Sequence, residues 1–140
     1  MKTKRVMALA MAVAAVAVMN APAAQAAEAG PTVPLSAAAD GKLHVYYDFN
    51  LSRHCASWEG YSSHWGKCRN EVSSLWNNGY PGGHDDVRVY WGLNHSGAYR
   101  GVHNGVVLNN LRQWTFDANT GRGSGEVLDN NISSHKWISL

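Results

Sequence analysis

The 140-residue chain has only two cysteines, Cys55 and Cys68. No further cysteine completes a tetrahedral thiolate site. The seven histidines, His44, His54, His64, His84, His95, His103 and His135, form neither HExxH nor a Cys/His zinc spacing, so no metal centre is read from them. There is no GxSxG turn to present a serine nucleophile. No two carboxylates can be brought together from the sequence alone to make an acid–base pair. Gly121-Arg122-Gly123-Ser124-Gly125 is glycine-rich but lacks the lysine and spacing of a phosphate loop. We therefore expect no enzymatic activity. A sustained 3.6-residue apolar period is also missing, which argues against a helical fold. Beyond the N-terminal apolar run there is no second one, so no membrane span is expected in the body of the chain.

That first run has its own meaning. Lys2, Lys4 and Arg5 precede an unbroken apolar stretch over 6–18, then Pro22 and Ala24-Gln25-Ala26. This is the layout of a secretory signal peptide over 1–26. Its loss lowers Lys plus Arg from 12 to 9 and leaves all 10 acidic residues, so the net charge moves from +2 to −1. The basic excess is an export feature and points to neither nucleic acid nor an anionic membrane as a partner. In an exported protein the default for Cys55 and Cys68 is a disulfide, the alternatives being a reactive thiol or half a metal site. Closing so short a loop contributes roughly 3 kcal/mol on the loop-entropy model. Residues 27–41 are rich in Ala, Pro and Gly and read as a flexible leader.

From residue 42 the pattern changes. HVYYDFN mixes β-branched and aromatic residues, and Gly and Asn punctuate the rest of the chain at short intervals. Such spacing predicts short strands in a sandwich or barrel, with a helical turn over 109–114. An internal repeat is visible. Residues 45–52 (VYYDFNLS) line up with 89–96 (VYWGLNHS), and 72–76 (VSSLW) with 132–137 (ISSHKW), the latter with one extra residue before the Trp. The second copy carries about sixteen more residues between these landmarks, expected around 119–125. Two such units, neither able to bury its faces alone, predict one two-lobed domain, with repeats over about 42–80 and 86–140.

An aromatic strand, a tight Asn/Gly hairpin and a distant Asx-Asx-x-x-Ser-Ser before an aromatic resemble the βγ-crystallin Greek-key motif. Within that superfamily the chain resembles the secreted bacterial peptidase inhibitors of family I36, in 74–79 (SLWNNG), 86–92 (DVRVYWG) and 130–137 (NNISSHKW). The resemblance covers about 42–140. It implies an all-β, βγ-crystallin-like sandwich of two Greek-key repeats. It further implies a secreted inhibitor of thermolysin-class zinc metalloproteases, blocking with a rigid loop; a monomer is expected. No reactive residue can be carried over; the loops around 60–66, His84 and 121–125 are the contact candidates, the last as a mobile hairpin tip.

The segment 129–134 (DNNISS) concentrates oxygen donors of the kinds that bind Ca²⁺. By the same resemblance Asp129, Asn130 and Ser133 would offer side chains and Asn131 its carbonyl to one weak calcium site drawing on both repeats. The first copy, 69–74 (RNEVSS), departs from the pattern: Arg69 accepts no hydrogen bonds and repels a cation. The competing reading is that these Ser and Asn side chains only hold turns. A calcium-binding extracellular module without inhibitory activity is therefore the alternative function.

Overall fold

The computed structural model describes residues 38–140. The expected signal peptide and most of the leader lie outside these residues. Seven strands are described: β1 (Lys42–Asp48), β2 (Ser52–Trp58), β3 (Ser74–Asn78), β4 (Asp86–Tyr90), β5 (Tyr99–Val102), β6 (Val107–Leu108) and β7 (Ser134–Ile138). Three single 3-10 turns join them, and the last, Leu111–Gln113, falls where a helical turn is expected. Asn110 starts it by accepting the Arg112 N–H on its side chain.

The strands form two antiparallel sheets, ordered β2-β1-β3-β6 and β5-β4-β7. Strand β6 belongs to the second repeat but pairs with β3 of the first, through Leu75–Leu108 and Trp76–Val107. The reciprocal exchange is a bridge from Ser62 of the first repeat to His135 of the second. Each repeat thus lends a segment to the other's sheet, the second repeat strand β6 and the first the single bridge at Ser62. Between the sheets, Leu43, Val45, Leu75, Val87 and Val89 are fully buried and meet Trp65, Phe116, Ile132 and Trp137 in one core. Burial of each such side chain contributes about 1.5–3 kcal/mol.

The repeat is reproduced in backbone detail. Asn50 and Leu51 both have positive φ, as do Asn94 and His95, 44 positions later. Asn70 and Asn130 match in the same way at an offset of 60. One expected detail is corrected. No residue is inserted before the second Trp, because Ser74 pairs with Tyr46 as Ser134 pairs with Tyr90. The strands align without a gap, so Trp76 matches Lys136. Side chains alternate along a strand, and Trp76 is half-buried on the outer face while Trp137 points into the core.

The leader boundary also moves. The N–H groups of Asp40 and Gly41 both donate to the Asn78 carbonyl, so the last residues of the 27–41 segment are tied to β3. The additional residues of the second repeat fold between β6 and Asp129 as the 3-10 turn and a hairpin bridged at Thr115–Val127. Leu111, Phe116 and Leu128 anchor that insertion in the core.

Candidate functional site

The segments 69–74 (RNEVSS) and 129–134 (DNNISS) meet at one end of the sandwich. Asn tolerates the left-handed conformation better than other side chains, and Asn70 and Asn130 adopt it with φ of 58° and 54°. Their N–H groups donate across the pseudo-twofold, Asn70 to the Ile132 carbonyl and Asn130 to the Val72 carbonyl, both at 3.0 Å. Ile132 and Val72 are buried beneath and pin each segment. The second serine of each pair is a clasp. Ser74 Oγ donates to the Asp48 carbonyl and accepts from the Leu51 N–H. Ser134 Oγ does the same with the Gly92 carbonyl and the His95 N–H. These two hydroxyls hold the β1–β2 and β4–β5 hairpins over the sandwich.

The first serine of each pair is also buried, where the two repeats meet. Ser133 Oγ donates to the Trp91 carbonyl at 3.0 Å and lies 3.5 Å from Asn70 Oδ1. It also accepts from Arg69 Nε at 3.2 Å. On the other side Ser73 and Asn130 line a cleft of about 390 Å³ together with Asp48, Glu71, Arg53 and Arg112. Arg112 Nε is 3.2 Å from Asp129 Oδ2, and its guanidinium lies 5.0 Å from the Phe49 ring centre. Arg53 forms a two-point pair with Asp48 and holds that carboxyl below its usual range. Each side of the clamp therefore carries a cation of the protein's own. A guanidinium cannot lose its proton here, so the donor set as placed does not fit a divalent metal ion. One atom stands apart. Asp129 Oδ1 is buried and has no hydrogen-bond partner among the described residues. Asn131 is used locally, its side-chain amide donating to the Val127 carbonyl. Arg69 was identified from the sequence as a break in the pattern. Arg112, 17 positions from Asp129 in the chain, was not, and no local signal marks it.

No family model matches the chain, and no curated protein does. Solved structures do. One concerned with the evolution of the eye lens βγ-crystallin domain fold aligns with a TM-score of 0.53 at 14% identity, over 71% of this chain and 87% of that one. A βγ-crystallin from Ciona intestinalis aligns at 0.51 and 18% identity, over 69% of this chain and 99% of its own. A βγ-crystallin from an archaeon gives 0.51 and 18%, over 69% and 96%. The fold is that of a βγ-crystallin domain. At such identity the likeness is one of fold, and function has to be argued from this chain's own residues.

Two further features of the domain matter. The first is the loop from Gly60 to Cys68, which crosses between the sheets. Cys55 and Cys68 are disulfide-bonded, with Cα atoms 6.0 Å apart. Ser62 exchanges two backbone hydrogen bonds with His135, and Trp65 N–H donates to the Ser133 carbonyl. His135 is fully buried; its Nδ1 accepts from Trp65 Nε1 at 2.9 Å and its Nε2 donates to the Gly60 carbonyl at 2.9 Å. Trp137 Nε1 donates to the same carbonyl. Burial, with a smaller contribution from His95, lowers the His135 pKa to about 4 against the opposing pull of the Gly60 carbonyl. Out of this fastened loop Tyr61 projects, 61% exposed.

The second is the glycine-rich tip at 121–125. It is not the free hairpin expected. Arg122 accepts the Ala98 N–H on its carbonyl, and its guanidinium lies over Trp91. Gly123 has φ of 96° and a Cβ there would strike the Trp91 ring, so the tip lies down on the β4–β5 hairpin. His84 sits in the exposed inter-repeat turn, its N–H held by Ser139 Oγ.

Proposed function

We propose that this βγ-crystallin domain is a secreted peptidase inhibitor acting on zinc metalloproteases of the thermolysin class. The observation that carries the reading is the 60–68 loop: fastened by a disulfide and by His135, it offers Tyr61 to a partner with little motion left to lose. A loop held in its bound shape binds more tightly because ordering costs are already met. Exposed tyrosines are frequent anchors of protein interfaces. The test is titration of residues 27–140 into such a protease at fixed calcium. Stoichiometric loss of peptidase activity is expected, with Tyr61→Ala raising the inhibition constant about tenfold or more. Full protease activity at micromolar protein would remove this enzyme class as the target.

The second reading is a calcium-stabilised extracellular module, and the buried Asp129 Oδ1 is the observation in its favour. Binding to the folded state alone would raise its stability by mass action. Under that reading calcium raises the melting temperature and Asp129→Ala abolishes the rise. Equal melting in calcium and in chelator eliminates it.

A further inference from the structure

The outer face of the β1–β2 hairpin carries a chain of side chains that neither functional reading uses. Asp40 Oδ2 lies 2.7 Å from His44 Nε2. His44 Nδ1 lies 2.7 Å from Ser57 Oγ. His54 Nε2 also lies 2.7 Å from Ser57 Oγ. An ionised carboxylate only accepts hydrogen bonds, so His44 donates from Nε2 and keeps its Nδ1 lone pair for the serine hydroxyl. Ser57 then donates to His44 and accepts from the Nε2–H of His54. Hydroxyl, imidazole and carboxylate stand in the order and at the separations of an activated serine.

A backbone irregularity creates this arrangement. His44 pairs with Ser57 and Tyr46 with His54, while the register slips between Val45 and Tyr46. Without the slip His54 and Ser57, three positions apart, would face opposite sides of the sheet. The bulge turns Cys55 inward to its disulfide and leaves both polar residues outside. The imidazole of His44 is further fixed by stacking on Trp76, with ring centres 5.3 Å apart. Its side chain is only 14% exposed. Tyr46 closes another side, edge-on to His54, and its phenol pKa is raised by burial and by the charge of Asp40.

We propose that Ser57 is a nucleophile for acyl transfer from small carboxylic esters, with His44 as its general base and Asp40 as the residue that positions His44. Ser57 Oγ attacks the ester carbonyl carbon while its proton passes to His44 Nδ1. The bond to the alcohol breaks, and the leaving alcohol takes the proton from His44. Water then attacks the acyl-serine carbonyl. It gives one proton to His44, which returns it to Ser57 Oγ as the acid departs. The Nε2–H of His54, already beside Oγ, is the donor at hand for the carbonyl oxygen as it gains negative charge. The half-buried faces of Trp76 and Tyr46 favour an ester with a flat, apolar acyl part. This inference is independent of the inhibitor reading.

The test uses residues 27–140 and a fluorophosphonate probe. Ser57 Oγ would bond to phosphorus, fluoride would leave, and His44 would accept the hydroxyl proton. Stoichiometric labelling mapped to Ser57 is expected. It should vanish in Ser57→Ala and fall at least a hundredfold in rate in His44→Gln. In Asp40→Asn the labelling rate should drop while the melting temperature stays put, a loss that a purely structural tie would not produce. Turnover of p-nitrophenyl acetate should show the same order across the variants. Absence of labelling on the folded wild-type protein overturns the proposal, as does labelling at Ser57 whose rate is unchanged by His44→Gln.

Discussion

At the scale of single residues, His135 has the clearest consequence. The folded protein holds it neutral, because Nδ1 already receives the Trp65 N–H and burial disfavours the charge. Its folded pKa is about 4, below the ordinary 6.5. Between these values the unfolded chain binds the proton and the folded one does not. Stability from this group is therefore complete above pH 6.5 and is lost as the pH falls to about 4. The loss is about 3 kcal/mol. Urea melts across that range should show it, and His135→Gln, which can still accept from Trp65 and donate to Gly60, should remove most of the slope. The clamp arginines make a second prediction. Where Arg69 and Arg112 keep a cation out of the clamp, wild-type protein should melt at one temperature in calcium and in chelator. Arg112→Ala should cost about 1–3 kcal/mol by leaving the Asp129 carboxylate without its partner. Arg69 could be read from the sequence because it breaks a repeat; Arg112 and the burial of His135 could not, since both depend on contacts between segments distant in the chain.

At the scale of elements, turns were easier to read than registers. The paired Asn residues and the two Ser-Ser steps announced the hairpins and their clasps, because these are local interactions repeated at fixed offsets. Trp76 and Trp137 misled, since matching them by type required an insertion that the strand pairing does not contain. A one-residue slip in a strand exchanges its faces. The same physics hid the side chains around Ser57, which share a face only because β2 carries a bulge. That bulge also aims Cys55 at Cys68. Replacing both cysteines by serine should lower stability by about 2–4 kcal/mol, measured by denaturant melts. It should also weaken inhibition, because the disulfide fastens one end of the loop that carries Tyr61.

At the scale of the molecule, the repeats were evident in the sequence and their interlocking was not. Nothing local reveals that β6 would cross to β3, or that Ser62 would reach β7. Both exchanges join residues far apart in the chain, and the core draws on both repeats. Unfolding should therefore be a single step. Tryptophan fluorescence and far-ultraviolet circular dichroism should give coincident urea transitions, and a fragment covering 38–80 alone should stay unfolded. The exchanged strands have a further implication for the exposed turn at 81–85. Cutting the chain there severs one covalent link and leaves every strand pairing between the halves in place. A nicked molecule should behave as a tight two-chain complex, and the intact chain can be regarded as a dimer of half-domains whose partners are chosen by being tethered together.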